Sequence, residues 1–210
     1  MSYFVTGATG FIGRYLVGNL LKRSGTVYVL VRKDSQKKFG AIAKKAGWDM
    51  KRVTVVHGDM TKPRCGLTPA QLRTLTGKVK HFFHLAAIYD LTATREAQQA
   101  ANIDGTQHAL DLAAALKAGC FHHTSSIAAA GLYPGIFRED MFDEAEGLDD
   151  PYLRTKHESE GLVRNEKRIK WRIYRPGMVV GHSKTGEIDK IDGPYYFFTL
   201  IKKLRELLPQ

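Results

Sequence analysis

The chain has 210 residues, of which 43% are hydrophobic and 25% charged, and its formal net charge is +11. This length fits one domain, and the composition is ordinary for a globular protein. No stretch reaches the roughly 18 apolar residues of a membrane-spanning helix, and the first predicted strand begins too early for a signal peptide, so we expect no transmembrane segment and a cytoplasmic location.

The positive charge occurs without a DNA-binding motif or repeated aromatic and basic residues, which argues against a nucleic-acid partner. It favours solvated, lysine-rich helix faces and a field that attracts an anionic cofactor or substrate. Cys65 and Cys120 lack the spacing of a metal site. His122 and His123 are neighbours on a predicted strand and therefore point to opposite faces, so we expect no bound metal.

A glycine-rich turn follows the first predicted strand, at residues 3–5, and a helix is predicted after it at residues 14–23. Strand, turn and helix in this order are typical of a dinucleotide-binding loop, although the spacing is G-x-x-G-x-x-G. The three glycines permit a tight turn, a close approach to a pyrophosphate and close helix packing, and the helix N-terminus offers N–H donors to phosphates. The residues assigned to cofactor binding here are Gly7, Thr9, Gly10, Phe11, Ile12, Gly13 and Arg14.

The second predicted strand, residues 26–31, ends at Arg32. An acidic residue at this place would accept a hydrogen bond from the 2′-hydroxyl of NAD, whereas an arginine pairs with the 2′-phosphate of NADP. Arg14 could supply a second cation. The sequence therefore predicts NADP(H), and the nearby Asp34 keeps NAD(H) as the alternative.

The remaining elements alternate between strands and helices, which predicts an α/β fold with a doubly wound parallel sheet, the Rossmann arrangement. Small residues after the fourth strand leave space for a cofactor, so Leu85, Ala86 and Ala87 are assigned to its site. Asp59 and Met60, after the third strand, are also assigned to the cofactor site, since a carboxylate there can accept from an adenine amino group; capping of a helix or turn is the alternative role of Asp59. The predicted strands are 53–57, 81–87, 120–126 and 171–175, and the predicted helices are 35–47, 68–75, 94–117 and 151–167.

Residues 195–208 form a predicted amphipathic helix with a basic outer face. Such a helix either lies on a membrane surface as a peripheral contact or packs on its own protein.

Tyr152 and Lys156 are four residues apart on a predicted helix and therefore share one face. A nearby ammonium lowers the pKa of a phenol, which brings it closer to the range useful for proton transfer. Ser126 ends the fifth strand and could hydrogen-bond the same substrate oxygen. The glycine turn, the serine and this pair together are far more specific than any one of them.

Through these features, the sequence resembles the extended short-chain dehydrogenase/reductases over essentially its whole length. The matching residues are Gly7 to Gly13, Gly58-Asp59, Leu85-Ala86-Ala87, Asn102-Ile103-Asp104-Gly105-Thr106, Thr124-Ser125-Ser126, Tyr152 with Lys156, and Arg175-Pro176-Gly177. More narrowly, it resembles the N-terminal module of bacterial alcohol-forming fatty acyl-CoA reductases, on residues 121–131, 135–142, 151–160 and 192–198.

The resemblance implies a reaction and a role for each site residue. NADPH would reduce a long-chain fatty acyl-CoA thioester or fatty aldehyde towards fatty alcohol, and a nucleotide sugar or other polar carbonyl compound is the alternative substrate. Tyr152 would donate the proton, Lys156 would hold the nicotinamide ribose, and Ser126, with Ser125 as the lesser choice, would orient the carbonyl. Asn102 would support the proton relay or the local backbone, and Pro176 and Gly177 would line the nicotinamide side.

The same resemblance implies that residues 1–210 are an NADP-binding domain whose C-terminal substrate-binding part is truncated. A second reductase module is expected elsewhere in the full-length protein, since the family has two.

Overall fold

The computed structural model describes residues 1–88, 93–188 and 194–207. In this part of the chain, six parallel strands form one sheet in the order β3-β2-β1-β4-β5-β6. The chain builds the sheet outward from β1 in one direction and then from β4 in the other, so the predicted doubly wound Rossmann arrangement is confirmed. The strands are β1 (Ser2–Thr6), β2 (Thr26–Val31), β3 (Val53–His57), β4 (His81–His84), β5 (Cys120–Thr124) and β6 (Trp171–Tyr174).

Helices cover both faces of this sheet. Side chains alternate along β1, so Tyr3 and Val5 pack in a cluster with residues of α1 and α2, whereas Phe4 packs in a second cluster with residues of α3, α5 and α6. The helices are α1 (Phe11–Leu21), α2 (Gln36–Lys45), α3 (Pro69–Leu75), α4 (Arg95–Gln98), α5 (Gly105–Ala115), α6 (Pro151–Arg164) and α7 (Pro194–Leu207). No described helix has the length and apolar character needed to cross a membrane.

Several element boundaries differ from the prediction. The fourth strand ends at His84 rather than residue 87, because the N–H groups of Leu85 and Ala86 donate to the side chain of Thr6 instead of a neighbouring strand. The single helix predicted at 94–117 is divided into α4, a π-helical segment Gln99–Asp104, and α5. Helix α1 begins at Phe11, inside the glycine motif, three residues before the predicted start.

The chain divides into two compact units, Met1–Pro176 and Gly177–Gln210. In the second unit, the hydroxyl of Tyr195 accepts a hydrogen bond from the N–H of Gly181 at 2.6 Å. The predicted C-terminal helix is present as α7, and its last predicted residue, Leu208, lies outside the described residues, as do Asp192 and Gly193. That residues 1–210 form one incomplete domain stays a prediction.

Candidate cofactor and catalytic site

The glycine turn has no room for a side chain at its first and third glycines. Gly7 has a φ of +74°, and a Cβ atom there would lie 2.6 Å from the backbone nitrogen of Ala86. A Cβ atom on Gly13 would lie 2.0 Å from the carbonyl oxygen of Gly7. The first glycine is therefore required for the turn and for the approach of the segment after β4, and the third is required for the packing of α1 against the turn.

The N-terminus of α1 is open to a ligand. Gly10 is the N-cap, its own N–H donates to the carbonyl of Gly7 at 3.0 Å, and no side chain caps the first turn of the helix. Gly10 and Ile12 are exposed, whereas Thr9 and Phe11 are half-buried. A helix start with uncapped N–H groups and an exposed glycine fits a pyrophosphate, since the groups that would bind it are backbone donors.

Two arginines lie at the positions assigned to the adenosine side. The guanidinium of Arg14 lies 5.0 Å from the ring centroid of Phe11 and 5.1 Å from that of Tyr15. Arg32, at the end of β2, is exposed, and its Nε lies 3.7 Å from a carboxylate oxygen of Asp34. The end of β2 thus combines a cation that suits a 2′-phosphate with a carboxylate that suits a 2′-hydroxyl.

The carboxylate of Asp59 stabilises a turn, which is one of the two roles that the sequence left open. Its Oδ1 accepts hydrogen bonds from the backbone N–H of Thr61 at 3.0 Å and from the Thr61 hydroxyl at 2.9 Å. The backbone hydrogen bond is the main reason that the pKa of Asp59 is lowered. The following residue, Met60, lies against Gly105, where an added Cβ would be 3.0 Å from its methyl group.

A buried chain of hydrogen bonds connects the end of β1 with the π-helical segment, and sequence reasoning missed it. The hydroxyl of Thr6 lies 2.9 Å from Nδ1 of His84, whose Nε2 lies 3.1 Å from the hydroxyl of Thr106. Thr106 donates to the carbonyl of Asn102 at 2.7 Å, so it accepts from His84, and the tautomer assigned to His84 carries its proton on Nε2.

Burial, followed by the charge of Lys156, lowers the pKa of His84 to about 3, so this histidine is neutral near pH 7. The sequence shows only that a histidine ends a buried strand, and this does not reveal which side chains form hydrogen bonds with it.

Asn102 ties three parts of the chain together. Its Oδ1 accepts from the N–H of Ile88 at 2.8 Å, and its Nδ2 lies 3.2 Å from the carbonyl of Ile88 and 3.2 Å from the hydroxyl of Thr155. The side chain is almost completely buried. Of the two roles that the resemblance implied for Asn102, these contacts favour support of the backbone.

The predicted Tyr152–Lys156 pair lies at the start of α6, where Asp150 caps the helix by accepting from the N–H of Tyr152 at 2.8 Å. The ammonium of Lys156 donates to the carbonyl of Thr124, the last residue of β5, at 3.2 Å. Lys156 is only 6% exposed, and burial lowers its pKa to about 8, against the opposing effect of the Glu160 carboxylate. The pair is thus anchored to the end of the strand that leads into Ser126.

The structure distinguishes between the two serines after β5. The hydroxyl of Ser125 is buried and donates to Oε2 of Glu160 at 2.7 Å. Ser126 is half-buried, and its oxygen accepts a hydrogen bond from the N–H of Ala128 at 3.1 Å. The carbonyl of Pro176 accepts from the N–H of Ile127 at 3.1 Å.

The end of β5 thus contacts Lys156 of α6 through Thr124, Pro176 contacts the segment after Ser126, and Asn102 contacts α6 through Thr155. That Tyr152 and Ser126 meet at one substrate oxygen stays a prediction. The glycine turn lies against Leu85 and Ala86, and Ala87 is exposed. Gly177 belongs to the second compact unit, and its assignment to the nicotinamide side stays a prediction. The described residues contain no group of three or more histidine, cysteine or acidic side chains able to hold a metal ion.

A model of an NAD-binding family, described as "Male sterility protein", matches residues 5–208. The chain belongs to this family of extended short-chain dehydrogenase/reductases. The family that the motifs suggested is confirmed, and with it the expectation of a nicotinamide dinucleotide site. The choice between the two dinucleotides does not follow from family membership.

Among the similar proteins are a large peptide synthetase and a domain of another synthetase pathway. It is 31% identical over 204 residues to a linear gramicidin synthase of Brevibacillus parabrevis, with 90% of this chain and 4% of that protein covered. It is 31% identical to the terminal R domain of the myxalamid PKS-NRPS pathway, with a TM-score of 0.76 and coverage of 88% of this chain and 50% of that one. The chain thus spans only part of the proteins it matches.

A second kind of relative binds a sugar nucleotide. The UDP-glucuronic acid 4-epimerase of Bacillus cereus, solved in complex with NAD, is 27% identical with a TM-score of 0.67, over 86% of this chain and 58% of that one.

Proposed function

We propose that this chain is the NADPH-binding and catalytic part of a reductase that converts a long-chain acyl thioester or fatty aldehyde towards fatty alcohol. The observation that carries the proposal is the buried Lys156 beside Tyr152 on α6, anchored at the strand end that precedes Ser126. Burying an ammonium costs free energy unless it is paired and hydrogen-bonded, and buried groups with a strongly perturbed pKa cluster at functional sites. Membership in a reductase-containing family supports the reaction class.

When bound, the cofactor would supply a hydride to the carbonyl carbon, which turns an aldehyde into the alcohol; from a thioester the resulting hemithioacetal would release the thiol and leave the aldehyde. Tyr152 donates its phenolic proton to the carbonyl oxygen as charge develops there, and Ser126 donates a hydrogen bond to the same oxygen. Lys156 stays protonated near neutral pH, lowers the pKa of the phenol and holds the ribose hydroxyls. Asn102 holds α6 in a fixed position against the segment after β4 through its hydrogen bonds to Ile88 and Thr155.

For the cofactor, we propose NADP(H), held by the N-terminus of α1, with Arg32 and Arg14 on the 2′-phosphate. Guanidinium groups bind phosphate oxygens through charge-assisted hydrogen bonds, and both of these arginines lie on the elements that flank the adenosine position of the fold. Asp59, Leu85 and Ala86 would line the same cleft along the sheet edge.

For the substrate, the proposal rests on the apolar character of the second unit. Phe197, Phe198 and Leu200 on α7 are exposed, which suits contact with an acyl chain. The same face would suit a peripheral contact with a lipid surface. We further propose that the full-length protein acts in the cytoplasm and carries a second reductase module, in line with the multidomain organisation of its relatives.

The test is a steady-state assay of NADPH oxidation by the full-length protein with decanal, with a long-chain acyl-CoA and with a panel of sugar nucleotides. The variant Tyr152→Phe is expected to lower kcat by about 10²–10⁴-fold, the usual contribution of a positioned general acid. Tyr28→Phe, which removes a phenol from β2 far from the proposed chemistry, is the matched control. Unchanged turnover in Tyr152→Phe would contradict the proposal.

The epimerase relative gives the second candidate, an enzyme acting on a nucleotide sugar. Turnover of a sugar nucleotide, with no NADPH oxidation on decanal or acyl-CoA, would replace the acyl substrate with this one while leaving the same residues in their roles.

A further inference from the structure

Glu160 is a fully buried carboxylate on the same face of α6 as Tyr152 and Lys156, one helical turn beyond the lysine. Its oxygens accept four hydrogen bonds: from the hydroxyl of Ser125 at 2.7 Å, from Nε of Arg164 at 2.8 Å, and from two nitrogens of Arg175 at 2.7 and 3.1 Å. The end of β5, the helix α6 and the end of β6 therefore meet at one carboxylate.

The same arginines also hold the loop that leads into α6. Arg175 donates to the carbonyls of Arg138 at 3.0 Å and Met141 at 2.7 Å. The guanidinium of Arg164 lies 4.8 Å from the ring centroid of Phe142. Glu160 thus anchors the loop, because both guanidinium groups depend on it as their buried counter-ion.

Resting on the proposed function, we propose that Glu160 is a positioning residue for the reaction: it keeps Lys156 positively charged and binds Ser125, so that Ser126 is the serine offered to the substrate. Neither Tyr152 nor Lys156 provides a negative charge that would keep the ammonium protonated. A buried ammonium loses its proton more readily than a solvated one, and a neutral Lys156 could neither hold the ribose by charge nor activate the phenol.

The charges around Lys156 support this assignment. His84 of β4 and His123 of β5 interact electrostatically with Lys156, and burial lowers the pKa of both, so both are neutral near pH 7. Glu160 is the group whose charge opposes the effect of burial on the pKa of Lys156. Burial by itself would raise the pKa of Glu160, but the hydrogen bonds from Arg175, Ser125 and Arg164 outweigh it and keep the carboxylate ionised.

The experiment compares pH profiles of kcat/KM for NADPH oxidation in the full-length protein. In Glu160→Gln, the alkaline limb is expected to move to lower pH by about 0.5–1 unit, because Lys156 loses its nearby anion. Glu158→Gln is the matched control: it removes the same charge from the same helix at a residue that is 45% exposed and paired with Arg154, so its limb stays in place. A purely structural defect would lower the amplitude of the profile without moving the limb.

In a second variant, the alkaline limb is expected to move in the opposite direction, and no buried acid or base is left unpaired. Arg164→Gln removes a cation from the cluster while Arg175 continues to pair with Glu160, so the alkaline limb is expected to move to higher pH. This variant decides the matter if Glu160→Gln does not fold. Limbs that coincide with the wild type in every folded variant would overturn the inference, whereas an active Tyr152→Phe would overturn the proposed function instead.

Discussion

The side-chain amide of Asn102 lies 3.2 Å from the hydroxyl of Thr155, and this contact joins the π-helical segment directly to the helix that carries Tyr152 and Lys156. A π-helical segment is uncommon and often marks a functional position. Here it brings Asn102 to a place where one carboxamide binds both backbone groups of Ile88 and still reaches α6.

Asn102→Ala is therefore expected to reduce both stability and turnover. The substitution leaves the partly buried backbone groups of Ile88 without their partners, which costs about 1–3 kcal/mol. Urea unfolding measures the free-energy change, and kcat in the NADPH assay measures the effect on the site. Asn19→Ala, on α1, is the control and should change neither quantity appreciably, because its side chain accepts from Lys22 at an exposed position. Equal effects in both variants would contradict the bracing role of Asn102.

Gly13→Ala is expected to weaken the binding of NADPH at least tenfold. The new Cβ would lie 2.0 Å from the carbonyl of Gly7, so either the turn or α1 must move, and with it the N–H groups proposed to bind the pyrophosphate. Gly18→Ala on the same helix is the control, since its Cβ would meet Trp48 at an ordinary 3.6 Å and alanine favours the helix. Quenching of NADPH fluorescence gives both dissociation constants; equal constants would show that the turn does not bind the cofactor.

Local patterns predicted most of the fold because they depend on neighbouring residues. Thr68 and Pro69 start α3 as expected, with the Thr68 N–H donating to the Gln71 side chain at 2.8 Å and the Gln71 N–H donating to the Thr68 hydroxyl at 3.3 Å. The alternation of strands and helices likewise predicted the doubly wound sheet. The sequence pattern also brought Tyr152 and Lys156 to one helix face, since that requires only helical spacing.

Contacts between distant residues were not predictable in this way. The pairing of Thr6 with His84, and of Asn102 with Ile88, depends on which side chains the finished sheet brings together. The early end of β4 has the same origin, since Thr6 takes the N–H groups that would have continued the strand. The sequence already favoured Ser126 over Ser125, but the hydrogen bond that occupies Ser125 was not predictable, because its partner Glu160 is 35 residues away in sequence.

Arg32→Ala is expected to lower the affinity for NADPH by about 10–100-fold, the effect of losing a charge-assisted phosphate contact, while the affinity for NADH changes little. The exposed side chain makes its described ion pair only with Asp34, so the fold does not depend on it. Lys45→Ala at the end of α2 is the charge-matched control. Affinities for the two dinucleotides measured by fluorescence titration decide the point: a parallel loss of both would exclude recognition of the 2′-phosphate by Arg32.

Lys156→Met is expected to abolish turnover and yet raise stability near neutral pH. The pKa of Lys156 is lowered from 10.5 to about 8 in the folded state, so below pH 8 folding confines a charge that the unfolded chain keeps solvated. That cost, on the order of 1–3 kcal/mol, should favour the variant at pH 7.

The pH dependence of this stability difference separates the cost of the buried charge from the stability gained by burying an apolar methionine. Between pH 8 and 10.5 the unfolded chain binds more protons at residue 156 than the folded chain, so the wild type gains stability relative to Lys156→Met as the pH rises through this window. Urea unfolding of both proteins at pH 7 and pH 9.5 should therefore show a difference that shrinks at the higher pH. A difference that is the same at both pH values would mean that the ammonium of Lys156 is not destabilised by burial, and the argument for its functional use would lose its physical basis.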